Sequence, residues 1–333
     1  MDKLVSSWYK DQSLPESYIF PPHERPGKLL VPRCNTVPVI DLGDTRTNLV
    51  HQILKASQEF GLFQVVNHGV PPNIMSETMS VFHKFFELPA EDKASLIVHT
   101  NDPKRCKLVT STLDYDREKI HLWRDVLRHP CHPDCIEFWP QKPLRYREVV
   151  AACSIEAKKL GLQILELLCE GVGIEHGYFE HELTEDLLLG ANHYPPCPDP
   201  SLTLGIPKHF DPDILTILLQ EHISGLQVLK DGEWIGVKPI PNAFVVNIGY
   251  ILQVISNNKL KGAEHRVVTN SSDHRISVVF CMNPAGDSNI EPAKSVVTAT
   301  NPPLCRGFQF KEFMDNFYSM DGDADLALQP FKL

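Results

Sequence analysis

From Leu187 to Met282 the chain is a succession of short β-like runs separated by turn residues, and no other feature limits the fold so tightly. The runs are Leu187–Tyr194, Leu202–Leu204, Ile214–Leu219, Gln227–Leu229, Trp234–Val237, Phe244–Ile248, His265–Thr269 and Arg275–Met282. Asp231-Gly232 between two of them is a strong hairpin signal, because both central positions of a tight primed turn need positive φ. Short strands at this regular spacing point to a barrel or a double-sheet jelly roll. Ahead of them, apolar residues at helical spacing predict helices over Asn48–Phe60, Asn73–Phe86 and Tyr146–Glu170. Val37–Leu42 and Leu62–Val66 read as further strands. The fold class is therefore mainly β with flanking helices (α+β), preceded by a helix-rich N-terminal region.

Five segments follow. Residues 1–36, with Pro15, Pro21, Pro22, Pro26 and Pro32, read as an irregular arm. Residues 37–143 form an N-terminal region ending in a charged, aperiodic stretch, 99–143, that reads as a loop covering a site. Residues 144–186 hold a long helix and connector, 187–300 the β core, and 301–333 a tail helix packing near the site.

The charge balance excludes two partner classes. Lys+Arg 32 against Asp+Glu 42 leaves a net charge of −10, the wrong sign for a nucleic-acid footprint or an anionic membrane surface. Met1 is followed at once by Asp2 with no apolar stretch behind it, and no run is long enough to span a bilayer. Nine scattered cysteines in such a chain read as reduced thiols, so the expectation is a cytoplasmic protein.

His209-Phe210-Asp211 precedes the run Ile214–Leu219, and His265 opens another run 54 residues later. Residues i and i+2 of a strand share a face, so an imidazole and a carboxylate project together. Two histidines and one carboxylate with open positions make the facial triad of non-haem Fe(II) oxygenases. The plain alternative is a strand histidine hydrogen-bonded to a nearby aspartate, and His132-Pro133-Asp134 fits the same pattern. Arg275-Ile276-Ser277 adds a second signal. A guanidinium and a hydroxyl on one strand face suit the far carboxylate of a dicarboxylic keto acid, the alternative being a core ion pair. A third is Asn192-His-Tyr-Pro-Pro-Cys-Pro198, which places Asn192 and Tyr194 on one face before a rigid turn. Each is moderate alone; the ordered set is strong. His129, Cys131, His132 and Cys135 have zinc-ligand types but lack a second half at the usual spacing, so a loop with reduced thiols is the better reading. His68, at a strand end, reads as a structural hydrogen-bonding residue.

With these motifs the chain resembles the plant 2-oxoglutarate- and Fe(II)-dependent dioxygenases over nearly its whole length. Val37–Asp41, Phe60–Gly69 and Phe86–Ala90 carry the N-terminal likeness. Trp139–Pro143, Tyr146–Val150, Asn192–Gly205, Pro239–Asn247 and Ile290–Lys294 are most similar to hyoscyamine 6β-hydroxylase-like enzymes. Phe210, where most of the family has Thr, His193 and Phe331 depart from the common pattern, which bears on the substrate and not on the iron chemistry.

The resemblance implies a double-stranded β-helix (jelly-roll) core and an oxygenase using Fe(2+), 2-oxoglutarate and O2, with ascorbate as reductant in vitro. By position, His209, Asp211 and His265 would hold iron; Arg275 and Ser277, helped by Tyr194 and Asn192, would hold the distal carboxylate of 2-oxoglutarate. Phe210, Tyr250, Phe280 and Phe331 are the candidates to surround a hydrophobic substrate, and Asp114 or Asp116 to pair with a protonated amine. The substrate class implied is a small plant specialised metabolite, first an alkaloid of the tropane (hyoscyamine) type, and alternatively a flavonoid, coumarin or other phenolic. Hydroxylation, O-demethylation, desaturation and ring closure all remain open. Rival readings are an oxidase of the same fold without 2-oxoglutarate and a non-catalytic binding member. The family leans monomeric.

Overall fold

The computed structural model describes residues 3–10, 13–28, 31, 33–34, 36–97 and 102–333, with the backbone alone at 33 and 34. Met1, Asp2, Pro32, the Cys34 thiol and residues 99–101 of the expected loop lie outside the described residues.

The chain opens with α1 (Val5–Trp8), β1 (Arg33–Cys34), β2 (Val39–Asp41), α2 (Arg46–Glu59), β3 (Leu62–Val66), α3 (Pro72–Glu87) and α4 (Ala90–Lys93). β4 (Lys107–Thr110), β5 (Asp125–Pro130) and α5 (Tyr146–Val172) follow. The next stretch holds β6 (Asp186–Tyr194), β7 (Leu204–His209), β8 (Leu215–Gln220), β9 (Leu226–Lys230), β10 (Glu233–Val237), β11 (Phe244–Ile248), α6 (Tyr250–Ile255), β12 (His265–Val268) and β13 (Arg275–Asn283). β14 (Asn289–Ile290) pairs with β15 (Phe308–Gln309), and α7 (Phe310–Ser319) and α8 (Ala324–Leu328) close the tail.

Two sheets form the jelly roll. The larger runs β2-β3-β11-β8-β13-β6-β5-β4 and the smaller β1-β10-β9-β12-β7. The β9–β10 hairpin turns at Asp231 and Gly232, with φ of 51° and 84°, as the dipeptide predicts. The larger sheet draws strands from both sides of the expected boundary at 187, since β2 to β5 flank the strands of the core.

Strand alternation sorts this sheet into two faces. Ile217, Leu219, Val278, Phe280 and Met282 belong to the large apolar cluster that holds the buried face of α5 (Val150, Ala157, Leu160, Ile164, Leu168). Burial of that side chain set removes apolar area from water at about 25 cal/mol per Å², which fixes the helix layer on the sheet. Tyr194, Leu218 and Val245 point the other way and pack on Leu226, Val228 and Val267 of the smaller sheet. Between the sheets, beside this second cluster, an enclosed space remains.

The stretch 99–143 is not a loop throughout. β4 and β5 pair with each other, and β5 pairs with β6, so the segment completes the edge of the larger sheet. Its alternation is hidden because one face is polar by design of place: Arg124, Val126 and Arg128 line the enclosed space. Charged side chains on a strand face that meets a polar cavity invert the usual apolar pattern.

Candidate active site

A cavity of about 140 Å³ lies between the sheets. The larger sheet lines it with Arg124 and Arg128, with Leu188, Gly190, Asn192 and Tyr194 of β6, with Thr216 and Leu218 of β8, with Asn247, and with Arg275, Ser277, Val279 and Cys281 of β13. The smaller sheet contributes Ile206, His209, Leu226, His265 and Val267, and Asp211 follows the end of β7.

His209 and His265 are register partners across β7 and β12. Asp211 lies past the strand, in the bend before β8, yet its Oδ1 stands 3.6 Å from His209 Nε2 and 3.7 Å from His265 Nε2. These three residues form the metal-competent cluster among the described residues, their donor atoms all within 4.8 Å of one another. Donors sharing one ion at bonds of about 2.1 Å lie about 3–4 Å apart, so small side-chain shifts complete the set.

The imidazoles are already aimed. His209 Nδ1 is 2.9 Å from the Pro207 carbonyl and His265 Nδ1 is 2.9 Å from that of Ala263. A carbonyl can only accept, so each Nδ1 carries the proton and each Nε2 offers its lone pair to the cavity. Burial, with the His209 charge adding to it, pulls the His265 imidazole down to about 4, which keeps it neutral and able to ligate near neutral pH. Burial of Asp211 acts to raise its carboxyl, but the imidazoles of His265 and His209 outweigh it and, with a 2.9 Å hydrogen bond from Asn247 Nδ2, hold it well below the carboxylate range. Two neutral nitrogens and one carboxylate suit a ferrous ion.

Arg275 is 1% exposed, and its guanidinium bonds only to uncharged groups: the Ile223 carbonyl at 3.1 Å, Gln220 Oε1 at 3.2 Å and Ser277 Oγ at 3.5 Å. The alternative of a core ion pair is thereby excluded among the described residues, the nearby Glu221 being engaged by the Ile276 N–H and His83. Burial lowers the guanidinium from its usual value, yet leaves it far above neutrality as arginine requires. Tyr194, its register partner, lies face-on with its ring centroid 5.2 Å from the guanidinium carbon. The Tyr194 hydroxyl is buried beside the Arg275 and Arg124 guanidiniums and makes no full hydrogen bond within the protein, so it is available to a ligand oxygen. β7 passes close over this ring at Gly205, where a Cβ would come within 2.6 Å of it. Asn192 pairs with Ser277 across β6 and β13 and accepts from Arg124 Nη1 at 3.0 Å. A buried cation, an orphaned hydroxyl and a serine beside it fit a carboxylate.

The substrate candidates fare differently. Phe280 is wholly buried on the helix side of the larger sheet, because it is one residue out of phase with the cavity-facing Val279 and Cys281. Phe331 stacks on Phe308 at 4.2 Å in the tail cluster, and Tyr250 donates its hydroxyl to Asp325 and packs on Phe313, so neither lines the cavity. Phe210 is half-buried against Tyr250, its ring centroid 5.6 Å away, beside the triad and not among the lining residues. Asp114 and Asp116 are exposed on the outer surface, and Asp116 pairs with Lys3 at 2.5 Å. The zinc reading is not supported among the described residues: His129 is buried against Tyr146 with its Nε2 2.9 Å from the hydroxyl, and His132 is exposed. His68 accepts from the Val70 N–H and bonds the Asn242 carbonyl, a structural role.

Sequence reasoning missed Arg124, Arg128 and Asn247. Asn247 is the lone polar residue of the run Phe244–Ile248, which was the signal available.

Residues 185–284 match the 2OG-Fe(II) oxygenase superfamily, and residues 37–149 match the family described as non-haem dioxygenase in morphine synthesis N-terminal. The chain is 44% identical to hyoscyamine 6-dioxygenase of Hyoscyamus niger, covering 100% of this chain and 99% of that protein. It is 37% identical to flavanone 3-dioxygenase 2 of Oryza sativa subsp. japonica, over 99% and 97% of the two chains. The crystal structure of JOX2 in complex with 2OG, Fe and JA superposes with a TM-score of 0.83 at 34% identity, over 93% of this chain and 92% of that one. The chain accordingly belongs to the 2OG-Fe(II) oxygenase superfamily and is a dioxygenase that works with Fe(II), 2-oxoglutarate and O2.

Proposed function

We propose that His209, Asp211 and His265 hold the ferrous ion, that Arg275 and Ser277 hold the distal carboxylate of 2-oxoglutarate, and that the enzyme oxidises a C–H bond of a small plant metabolite. The observation that carries this reading is the pairing of three convergent donors with a buried guanidinium whose partners are all neutral. Iron and 2-oxoglutarate supply the oxygen activation when bound, with succinate and CO2 as co-products. The protein's share is orientation. The Pro207 and Ala263 carbonyls set the tautomers, and Asn247 fixes the Asp211 carboxylate. Tyr194 donates its free hydroxyl to the cosubstrate carboxylate, and Asn192, held by Arg124, stands beside it. The apolar walls, Leu188, Ile206, Leu218, Leu226 and Val267, keep bulk water from the reacting centre.

Two substrate classes have support. Identity of 44% to hyoscyamine 6-dioxygenase over the full length favours a tropane alkaloid. The cavity's charge favours the second, a phenolic or related oxygen-rich aromatic: Asp211 is the sole carboxylate among its lining residues, against three arginines. The candidate amine partners Asp114 and Asp116 lie outside it. We infer further that the enzyme acts as a cytoplasmic monomer. The eight cysteines described are free thiols, in keeping with a reducing compartment, and no helix among the described residues is long and apolar enough to cross a membrane.

The test is a mass-spectrometric screen of alkaloids and phenolics with Fe(II), 2-oxoglutarate and ascorbate. Product formed with succinate, and only when 2-oxoglutarate is present, supports the reading. Product formed without 2-oxoglutarate points to the oxidase instead, and no turnover with metal bound points to a binding protein.

A further inference from the structure

Three guanidinium groups line the cavity, and two of them have work. Arg275 is bonded to Ile223, Gln220 and Ser277; Arg124 is bonded to the Ser111 carbonyl and to Asn192. Arg128 is half-buried in the same wall, held by its backbone in β5, and its guanidinium has no hydrogen bond or ion pair to a described residue. A half-buried guanidinium with no partner in the protein is incompletely satisfied, and a ligand that brings an oxyanion relieves that deficit.

Its position separates it from the cosubstrate station. Arg128 stands opposite Gly190 of β6, and Gly190 opposite Val279 of β13. Tyr194, four residues along β6, is the partner of Arg275. Four residues of strand put these two backbone rungs about 13 Å apart. Gly190 has no side chain, and a methyl of Val279 takes the space over it, 3.0 Å from where a Cβ would stand.

We infer that Arg128 is a specificity-determining residue that binds a carboxylate of the organic substrate by a charge-assisted hydrogen bond. This deepens the functional reading above and rests on its cosubstrate station. It selects carboxylate-bearing aromatics over the cationic amines that the overall likeness to a tropane enzyme favours.

The test compares two probes, 4-hydroxycinnamate and its methyl ester. Each is titrated calorimetrically without oxygen into protein loaded with Fe(II) and 2-oxoglutarate, using the wild type, Arg128→Gln and Arg128→Lys. Expected is a preference of about tenfold or more for the carboxylate over the ester in the wild type, lost in the Gln variant and partly kept in the Lys variant. The dissociation constant for 2-oxoglutarate should stay the same in all three proteins. The inference is overturned if the wild type fails to bind the carboxylate more tightly than the ester, including by binding neither, or if the preference survives in Arg128→Gln. It is equally overturned if Arg128→Gln weakens 2-oxoglutarate, which would make Arg128 part of the cosubstrate station. Failure of the wild type to bind 2-oxoglutarate at all instead contradicts the functional reading beneath it.

Discussion

His209 and His265 stand directly opposite one another on β7 and β12, 56 positions apart in sequence numbering, with ring centroids 4.2 Å apart. Sheet register thus builds two thirds of the triad before any metal arrives, and Asp211 joins it from the bend that ends β7. Removing any of the three should weaken iron binding by orders of magnitude while leaving the fold in place. His265→Ala, measured by metal content and by far-ultraviolet circular dichroism, should show lost iron with an unchanged spectrum.

Arg275 should act on 2-oxoglutarate rather than on the organic substrate. Arg275→Gln removes charge-assisted bonds worth about 1.5–3 kcal/mol, so KM for 2-oxoglutarate should rise about ten- to a hundredfold. Steady-state kinetics at saturating organic substrate check this. An unchanged KM counts against the role.

Tyr194→Phe separates stability from binding. The hydroxyl it removes is buried and unpartnered, so its loss should not destabilise the protein free of 2-oxoglutarate. It should nevertheless raise the dissociation constant for 2-oxoglutarate. Gly205→Ala, whose Cβ would meet the Tyr194 ring at 2.6 Å, should do both kinds of harm, destabilising by about 1–3 kcal/mol and weakening 2-oxoglutarate. Thermal melts with and without 2-oxoglutarate read both effects.

The pair His83–Glu221 carries a pH dependence. The 2.9 Å hydrogen bond to Glu221 raises the imidazole above its ordinary value of 6.5, against the opposing effect of burial. A raised folded-state value means the stabilisation is fully present below 6.5 and is lost as pH rises through the folded value. His83→Gln should therefore lower Tm at pH near 6 and leave it unchanged near pH 9. The pair is partly exposed, so the effect should be about a few tenths of a kcal/mol.

Much of this site was legible because its chemistry uses strand spacing. Arg275-x-Ser277 and Asn192-x-Tyr194 each put two groups on one face of a strand, and period-two reasoning recovers that, whereas Asp211 joins His209 from the bend beyond β7 and not by strand alternation. The helices α2, α3 and α5 were legible for the same kind of reason, their apolar residues recurring at helical spacing. What failed was phase and environment. Phe280 is aromatic and near the right rungs, yet it faces α5 because Val279 and Cys281 take the cavity side. β5 was hidden because Arg124, just ahead of it, and Arg128 within it put charge on the side that faces the cavity, so charge masked a strand. Tyr250 and Phe331 lie in the tail cluster, a placement that depends on long-range packing no local pattern records. The second motif, His132-Pro133-Asp134, sits in an exposed turn, its two side chains 54% and 76% accessible, which shows why the pattern alone was insufficient.

The most direct test is an anaerobic Fe(II) titration of the wild type, Asp211→Ala and His132→Ala. The account predicts one ferrous ion per chain in the wild type and in His132→Ala, tightened by 2-oxoglutarate, and no stoichiometric binding in Asp211→Ala. Stoichiometric iron retained in Asp211→Ala, or lost in His132→Ala, would contradict it.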